Sequence, residues 1–165
     1  MKHVKKSVLL WYSAREMYDL VVAVEDYPSF LPWCESATVL ERHGASEDGQ
    51  FTDGMTARLG LNYAGVRQSF TTRNEHVAGK RVQLTLVDGP FSRLTGTWEF
   101  VPLGGGDGLA DPAAGAPSAC RIEFDLCYAF SSGALELVVS PVFDRIANTF
   151  VDSFVKRAAQ VHGER

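Results

Sequence analysis

From His3 to Trp11 the chain carries a β-branched and aromatic run that predicts an opening strand. Ser13 then stands three residues before Glu16, the spacing at which each side chain satisfies a helix N-terminal amide. Met17, Leu20, Val21 and Val24 follow at helical spacing, so a first helix is expected over roughly Ala14 to Val24. Pro28 and Pro32 interrupt the segment Asp26–Cys34, which has room for only a turn or two of helix. The pattern then changes to strands. In Arg121–Phe130, Ile122, Phe124, Leu126, Tyr128 and Phe130 alternate with polar or small residues. Val82, Leu84 and Leu86 alternate in the same way, Asp88-Gly89-Pro90 supplies a turn, and Leu94, Gly96, Trp98 and Phe100 share one face of the next strand. Weaker alternation covers Ser36–Arg42, Gln50–Tyr63 and Val66–Glu75, with short Gly-containing breaks that imply hairpins and an antiparallel meander.

The Gly-, Ala- and Pro-rich stretch 104–118 reads as a long flexible hairpin loop. It lacks the Gly-Lys-Ser/Thr that a phosphate-binding loop needs. A long helix is expected from about Gly133 to Val161, capped by Ser131 or Ser132. Phe143, Ala147, Phe150, Phe154 and Ala158 form its apolar stripe, and Val139, Val142 and Ile146 widen it. Asp144, Asn148, Asp152 and Lys156 fall on a face expected to be wet. Pro141 predicts a kink, with Ser140 placed to cap a restarted helix.

Strands with one apolar face must be covered, and the C-terminal helix is the only element large enough to cover them. The expected architecture is α+β: a curved antiparallel sheet of about seven strands wrapped around one long helix, in a single domain over 1–165. A sheet closed by a single helix leaves space between the two, and Phe70, Trp98, Phe100, Phe124, Tyr128, Phe143 and Phe150 are the large side chains expected to face it. Periodicity alone leaves open whether this is solid core or a cavity. Phe30, Leu31 and Trp33, stiffened by two prolines, read equally as a lid or membrane-touching rim and as a plug. Phe91 follows a turn that would set it beside an entrance. Arg67 and Arg145 are single polar candidates for a ligand headgroup, though a solvated or salt-bridged role is the commoner one.

Composition narrows the function. A net charge of -4 disfavours general nucleic-acid binding, and no DNA partner is expected. Lys2, His3, Lys5 and Lys6 form the one basic cluster, read first as lysines protecting a sheet edge and second as a contact for phosphate or anionic lipid. Cys34, Cys120 and Cys127 match no disulfide framework or CxxC motif, and reduced thiols in a cytoplasmic setting are expected. No apolar run approaches the roughly 20 residues of a membrane span, and no secretory signal is visible. His3, His43, His76 and His162 show no ligand spacing, and neither a nucleophile elbow nor a Cys-His signature appears, so neither metal nor catalysis is expected.

Five segments carry a resemblance: 12–21 (YSAREMYDLV), 26–34 (DYPSFLPWC), 69–73 (SFTTR), 86–91 (LVDGPF) and 150–158 (FVDSFVKRA). On them the chain resembles the coenzyme Q-binding START-domain proteins and the closely similar ribosome association toxin (RatA) family, within the polyketide cyclase/START superfamily. The stretch 104–118 looks longer than is usual there. The resemblance implies a helix-grip (START-like) fold whose hydrophobic tunnel accepts an isoprenoid quinone (coenzyme Q) or similar lipid, with no cofactor required. The ligand-binding residues expected are Phe30, Leu31, Trp33, Phe70, Leu86, Phe91, Trp98, Phe100, Phe124, Tyr128, Val139, Phe143, Ile146 and Phe150. It implies first a non-enzymatic carrier supporting respiratory electron transport, peripheral at the inner face of the membrane. The alternative is a RatA-type toxin that binds the ribosome and blocks subunit association. A polyketide cyclase-like enzyme ranks third.

Overall fold

Ser13 accepts a hydrogen bond at its Oγ from Glu16 N at 3.0 Å, and Glu16 Oε1 accepts from Ser13 N at 2.9 Å. This reciprocal cap starts α1 (Ala14–Val22), directly after strand β1 (Lys2–Leu10). The helix stops two residues earlier than its periodicity suggests. Pro28 cannot donate to the carbonyl of Val24, so Val24–Ser29 tightens into a 3-10 helix. The Tyr27 hydroxyl donates at 2.5 Å to the carbonyl of Val21, one of those left open at the end of α1. The computed structural model describes residues 1–103 and 119–164; the segment 104–118, expected to form a loop, lies outside them.

Strands β2 (Cys34–His43), β3 (Asp53–Tyr63), β4 (Val66–Val77), β5 (Arg81–Asp88), β6 (Phe91–Leu103) and β7 (Ala119–Phe130) pair antiparallel, each with the next. β1 joins beyond β7, giving the order β1-β7-β6-β5-β4-β3-β2. Ala64 and Gly65, with φ of 50° and 79°, form the two-residue turn between β3 and β4; positive φ at both positions matches the twist of the flanking strands. Register shifts in β2, β5 and β6 mark bulges, the device that bends a strand and curves its sheet.

The long helix α2 (Gly133–His162) begins at Ser132, whose Oγ accepts from Leu135 N at 3.1 Å. It packs through ring contacts, with Phe143 against Tyr128 at 4.8 Å and Phe154 against Trp98 at 5.3 Å. Two expectations are corrected here. The helix passes through Pro141 without restarting, and Ser140 does not cap it: the Ser140 hydroxyl is buried between Lys2 and Asp144. Asp144, expected to be wet, is half-buried and accepts hydrogen bonds from Lys2, Ser140 and Tyr128.

The basic cluster does lie on an edge strand, and most of it is already engaged. Lys2 pairs with Asp144, while His3 and Lys5 approach Asp125 at 2.5 and 3.8 Å. The three cysteines are free thiols, with Cys34 and Cys120 buried; burial pushes both thiols up to about 11, so neither ionises near neutral pH. Among the described residues no helix is long and apolar enough to cross a membrane.

Candidate functional site: a cavity with a polar end

The apolar face of the sheet meets α2 along only part of its length, and the remainder is a cavity. The sheet contributes Ala57, Leu59, Phe70, Thr72, Asn74, His76, Val82, Leu84, Leu94, Trp98, Phe124 and Leu126; α2 contributes Phe143, Ile146, Ala147 and Phe150. Val21, Val22, Val24, Tyr27 and Trp33 complete the wall from the α1 side. The space between these walls is about 70 Å³. That admits a few waters. Phe150 is half-buried and touches Trp33, Trp98, Phe124 and Phe154 at ring distances of 6.0, 5.7, 5.8 and 5.1 Å, which makes it the wall residue with most to lose or gain by moving.

Seven of the fourteen expected residues line this cavity: Trp33, Phe70, Trp98, Phe124, Phe143, Ile146 and Phe150. The other seven do not, for separate packing reasons. Phe91 is locked in a ring cluster with Phe143 at 4.8 Å and Phe130 at 5.3 Å. Tyr128 is held by Asp144, and Phe100 lies under α1, edge-on to Tyr18 at 5.7 Å. Leu31 and Val139 are buried in core away from the space. Phe30 packs on Phe154 at 5.2 Å beneath the Arg157 guanidinium, and Leu86 is half-buried outside the wall. In the two-proline segment Leu31 and Trp33 are buried, Phe30 is half-buried, and Pro28, Ser29 and Pro32 are exposed. Arg67 pairs with Glu35 at 2.8 Å, Arg145 is exposed, and neither reaches the cavity.

The residues that sequence reasoning missed are the polar ones. Thr72, Asn74 and His76 occupy successive inward positions of β4 and all are buried. The weak alternation of this strand was their signal: three polar side chains stand where the pattern wants apolar ones. Thr72 Oγ1 donates to Asn74 Oδ1 at 2.7 Å, and His76 Nδ1 meets Asp53 Oδ2 at 3.2 Å. Burial lowers the pKa of His76, against the hydrogen bond and charge of Asp53, so the ring is neutral at pH 7. Tyr18, edge-on to the same ring at 6.1 Å, is pushed up to about 12, first by burial and then by the Asp53 charge.

A second cluster lies on the outer face. Strand register sets His3 opposite Cys127 and Lys5 opposite Asp125, which brings ligand atoms of His3, Asp125 and Cys127 within 4.8 Å of one another. His3 and Asp125 already pair with each other, and the Lys5 ammonium opposes a cation there.

The family model for polyketide cyclase/dehydrase and lipid transport matches residues 10–155. The chain is 38% identical over its full length, and 92% of the relative's, to the ribosome association toxin RatA of Escherichia coli. It is equally similar to the persistence and stress-resistance toxin PasT of another strain of that species. Against the mitochondrial coenzyme Q-binding protein COQ10 homolog B of Xenopus laevis it is 26% identical, over 97% of this chain and 59% of that protein. A START superfamily protein of Mycobacterium smegmatis superposes with a TM-score of 0.71 at 20% identity, covering 96% of this chain and 98% of that one. The Zhui aromatase/cyclase of Streptomyces superposes at 0.69 and 16% identity over 99% of both chains. These two share the fold. The chain therefore belongs to the polyketide cyclase/dehydrase and lipid transport family, in which its relatives at 38% identity are the RatA and PasT toxins.

Proposed function

We propose that this protein is a RatA-type factor acting on ribosome association, built on a lipid-binding fold and without chemistry of its own. The observation that carries this reading is full-length identity of 38% to proteins named for that activity, against 26% for a coenzyme Q-binding relative. The order of the two readings is thus the reverse of the one that the motifs alone suggest. A net charge of -4 makes broad electrostatic capture of RNA unfavourable, so contact with the ribosome would use a local surface such as the one around Lys156 and Arg157. The test is a sucrose-gradient profile of ribosomes with purified protein added. Accumulation of separate subunits and co-sedimentation that weakens with salt support the reading; an unchanged profile refutes it.

The cavity favours a second reading, binding of an isoprenoid quinone or similar lipid at a cytoplasmic or peripheral membrane site. Its supporting observation is an apolar, aromatic wall that ends in a polar patch. Burial of a prenyl chain is worth about 25 cal/mol per Å² of apolar surface, a drive for uptake. Mass spectrometry of organic extracts from protein made in a quinone-producing host tests it. A stoichiometric lipid that is lost in Phe150→Asp supports it. An empty protein that also takes up no added quinone refutes it.

A further inference from the structure

The inward positions of β4 run Phe70, Thr72, Asn74, His76, so this part of the wall changes from apolar to polar along one strand. Because Thr72 Oγ1 donates to Asn74 Oδ1, the Asn74 amide is oriented with Nδ2 turned away from Thr72. His76 is 2% exposed, and its Nε2 is buried with no partner. The opposite nitrogen, Nδ1, meets the Asp53 carboxylate. A carboxylate can only accept, so in the neutral ring Nδ1 carries the proton and Nε2 is a bare acceptor. The cavity wall thus holds one donor, Asn74 Nδ2, and one buried acceptor with no partner, His76 Nε2. A buried polar atom without a partner is unfavourable, and a ligand that fills it gains affinity.

We infer that this polar end recognises a hydroxyl group on an apolar ring lipid, with His76 Nε2 accepting from the hydroxyl and Asn74 Nδ2 donating to an oxygen of the same head, so that a hydroquinone is bound in preference to its quinone. The inference rests on the ligand-binding reading above. A quinone carbonyl brings only lone pairs and would face Nε2 lone pair to lone pair. The reduced ring brings O–H donors as well as oxygens and satisfies both wall atoms. Asp53 is the positioning residue: half-exposed, it sets which nitrogen of His76 carries the proton. Trp98, Phe124 and Phe150 supply flat apolar surface for the rest of the ring and the start of its tail.

The test is anaerobic titration calorimetry with a decyl-substituted benzoquinone and its hydroquinone. Wild type is expected to bind the hydroquinone about tenfold more tightly. His76→Leu should bind both forms alike. In Asp53→Asn the new amide can donate to Nδ1 and move the ring proton to Nε2, so the preference should shrink or reverse. This exchange at a half-exposed position decides the matter even if His76→Leu fails to fold. Equal affinities in wild type, or a preference unchanged in Asp53→Asn, overturns the inference and leaves the ligand-binding reading standing. Binding of neither form overturns both.

Discussion

The Tyr128 hydroxyl donates to Asp144 Oδ1 at 2.5 Å, tying the last strand of the sheet to the middle of α2. Ser140 and Lys2 donate to the other carboxylate oxygen. Burial opposes ionisation of Asp144, but these three hydrogen bonds and the Lys2 charge outweigh it and hold the carboxyl below its ordinary 3.8. Replacing Asp144 by Ala leaves the buried Tyr128 hydroxyl without its acceptor, and a loss of about 1–3 kcal/mol is expected in urea denaturation. Because the folded-state value is depressed, the contribution is complete above 3.8 and disappears as the pH falls from there through the lowered value. A wild-type advantage that stays constant through the acid range would refute this account.

His76 behaves in the same sense, at a higher pH. Its ordinary value is 6.5; burial lowers it in the folded protein, His43 and Arg42 from β2 push the same way, and Asp53 from β3 resists, while Tyr18 of α1 covers the ring. On acidification the unfolded chain takes up this proton before the folded chain does, so stability falls as the pH drops through 6.5 toward the lowered value. Between about pH 7.5 and 5.5 the melting temperature of wild type should fall further than that of His76→Gln. Equal falls would assign the effect to other groups.

Gly89 has φ of 151°, and a Cβ there would stand 2.6 Å from the Cβ of Phe70 in the cavity wall. Gly89→Ala therefore meets both backbone strain and a clash. A loss of more than about 1 kcal/mol is expected in chemical denaturation. A variant as stable as wild type would show that the β5–β6 turn yields without strain.

Phe154 is fully buried and makes ring contacts with Tyr27, Phe30, Trp98 and Phe150. Phe154→Ala is expected to destabilise the protein by about 3–5 kcal/mol. Phe150→Ala, at a half-buried wall position, should be milder and should enlarge the cavity. Thermal melts of the two variants, with the order reversed, would place the load on the wrong ring.

Wherever one face of an element is apolar throughout, the chain is legible. Arg121–Phe130 has its strand and its buried face in plain view, and α2 differs by one residue at its C-terminal end. Asp144 was not legible because its position in the helical pattern groups it with Asn148 and Asp152. The partner that half-buries it, Lys2, comes from the other end of the chain. Half of the expected residues lie outside the cavity wall for a related reason. Alternation tells which face a side chain occupies but not how far along the strand the sheet lifts from the helix. Phe124 and Tyr128 share a face of β7, yet only Phe124 reaches the cavity. His76 fits neither a metal spacing nor a catalytic triad in the sequence, because its setting depends on Asp53 lying directly across the β3–β4 ladder.

The placement of β1 beyond β7 has a consequence for how the chain is made. Six strands form a meander whose neighbours follow one another in sequence, and each can zip onto the last as synthesis proceeds. β1 is translated first and has to wait for β7, since Lys2 pairs with Tyr128 and Leu10 with Cys120. Closing so long a loop late in folding is slow. Until then Leu9 and Trp11, which stay exposed even in the finished fold, belong to an unpaired apolar segment. Lysines on such a strand disfavour its pairing with other chains, and in the finished fold one of them, Lys2, pairs with Asp144.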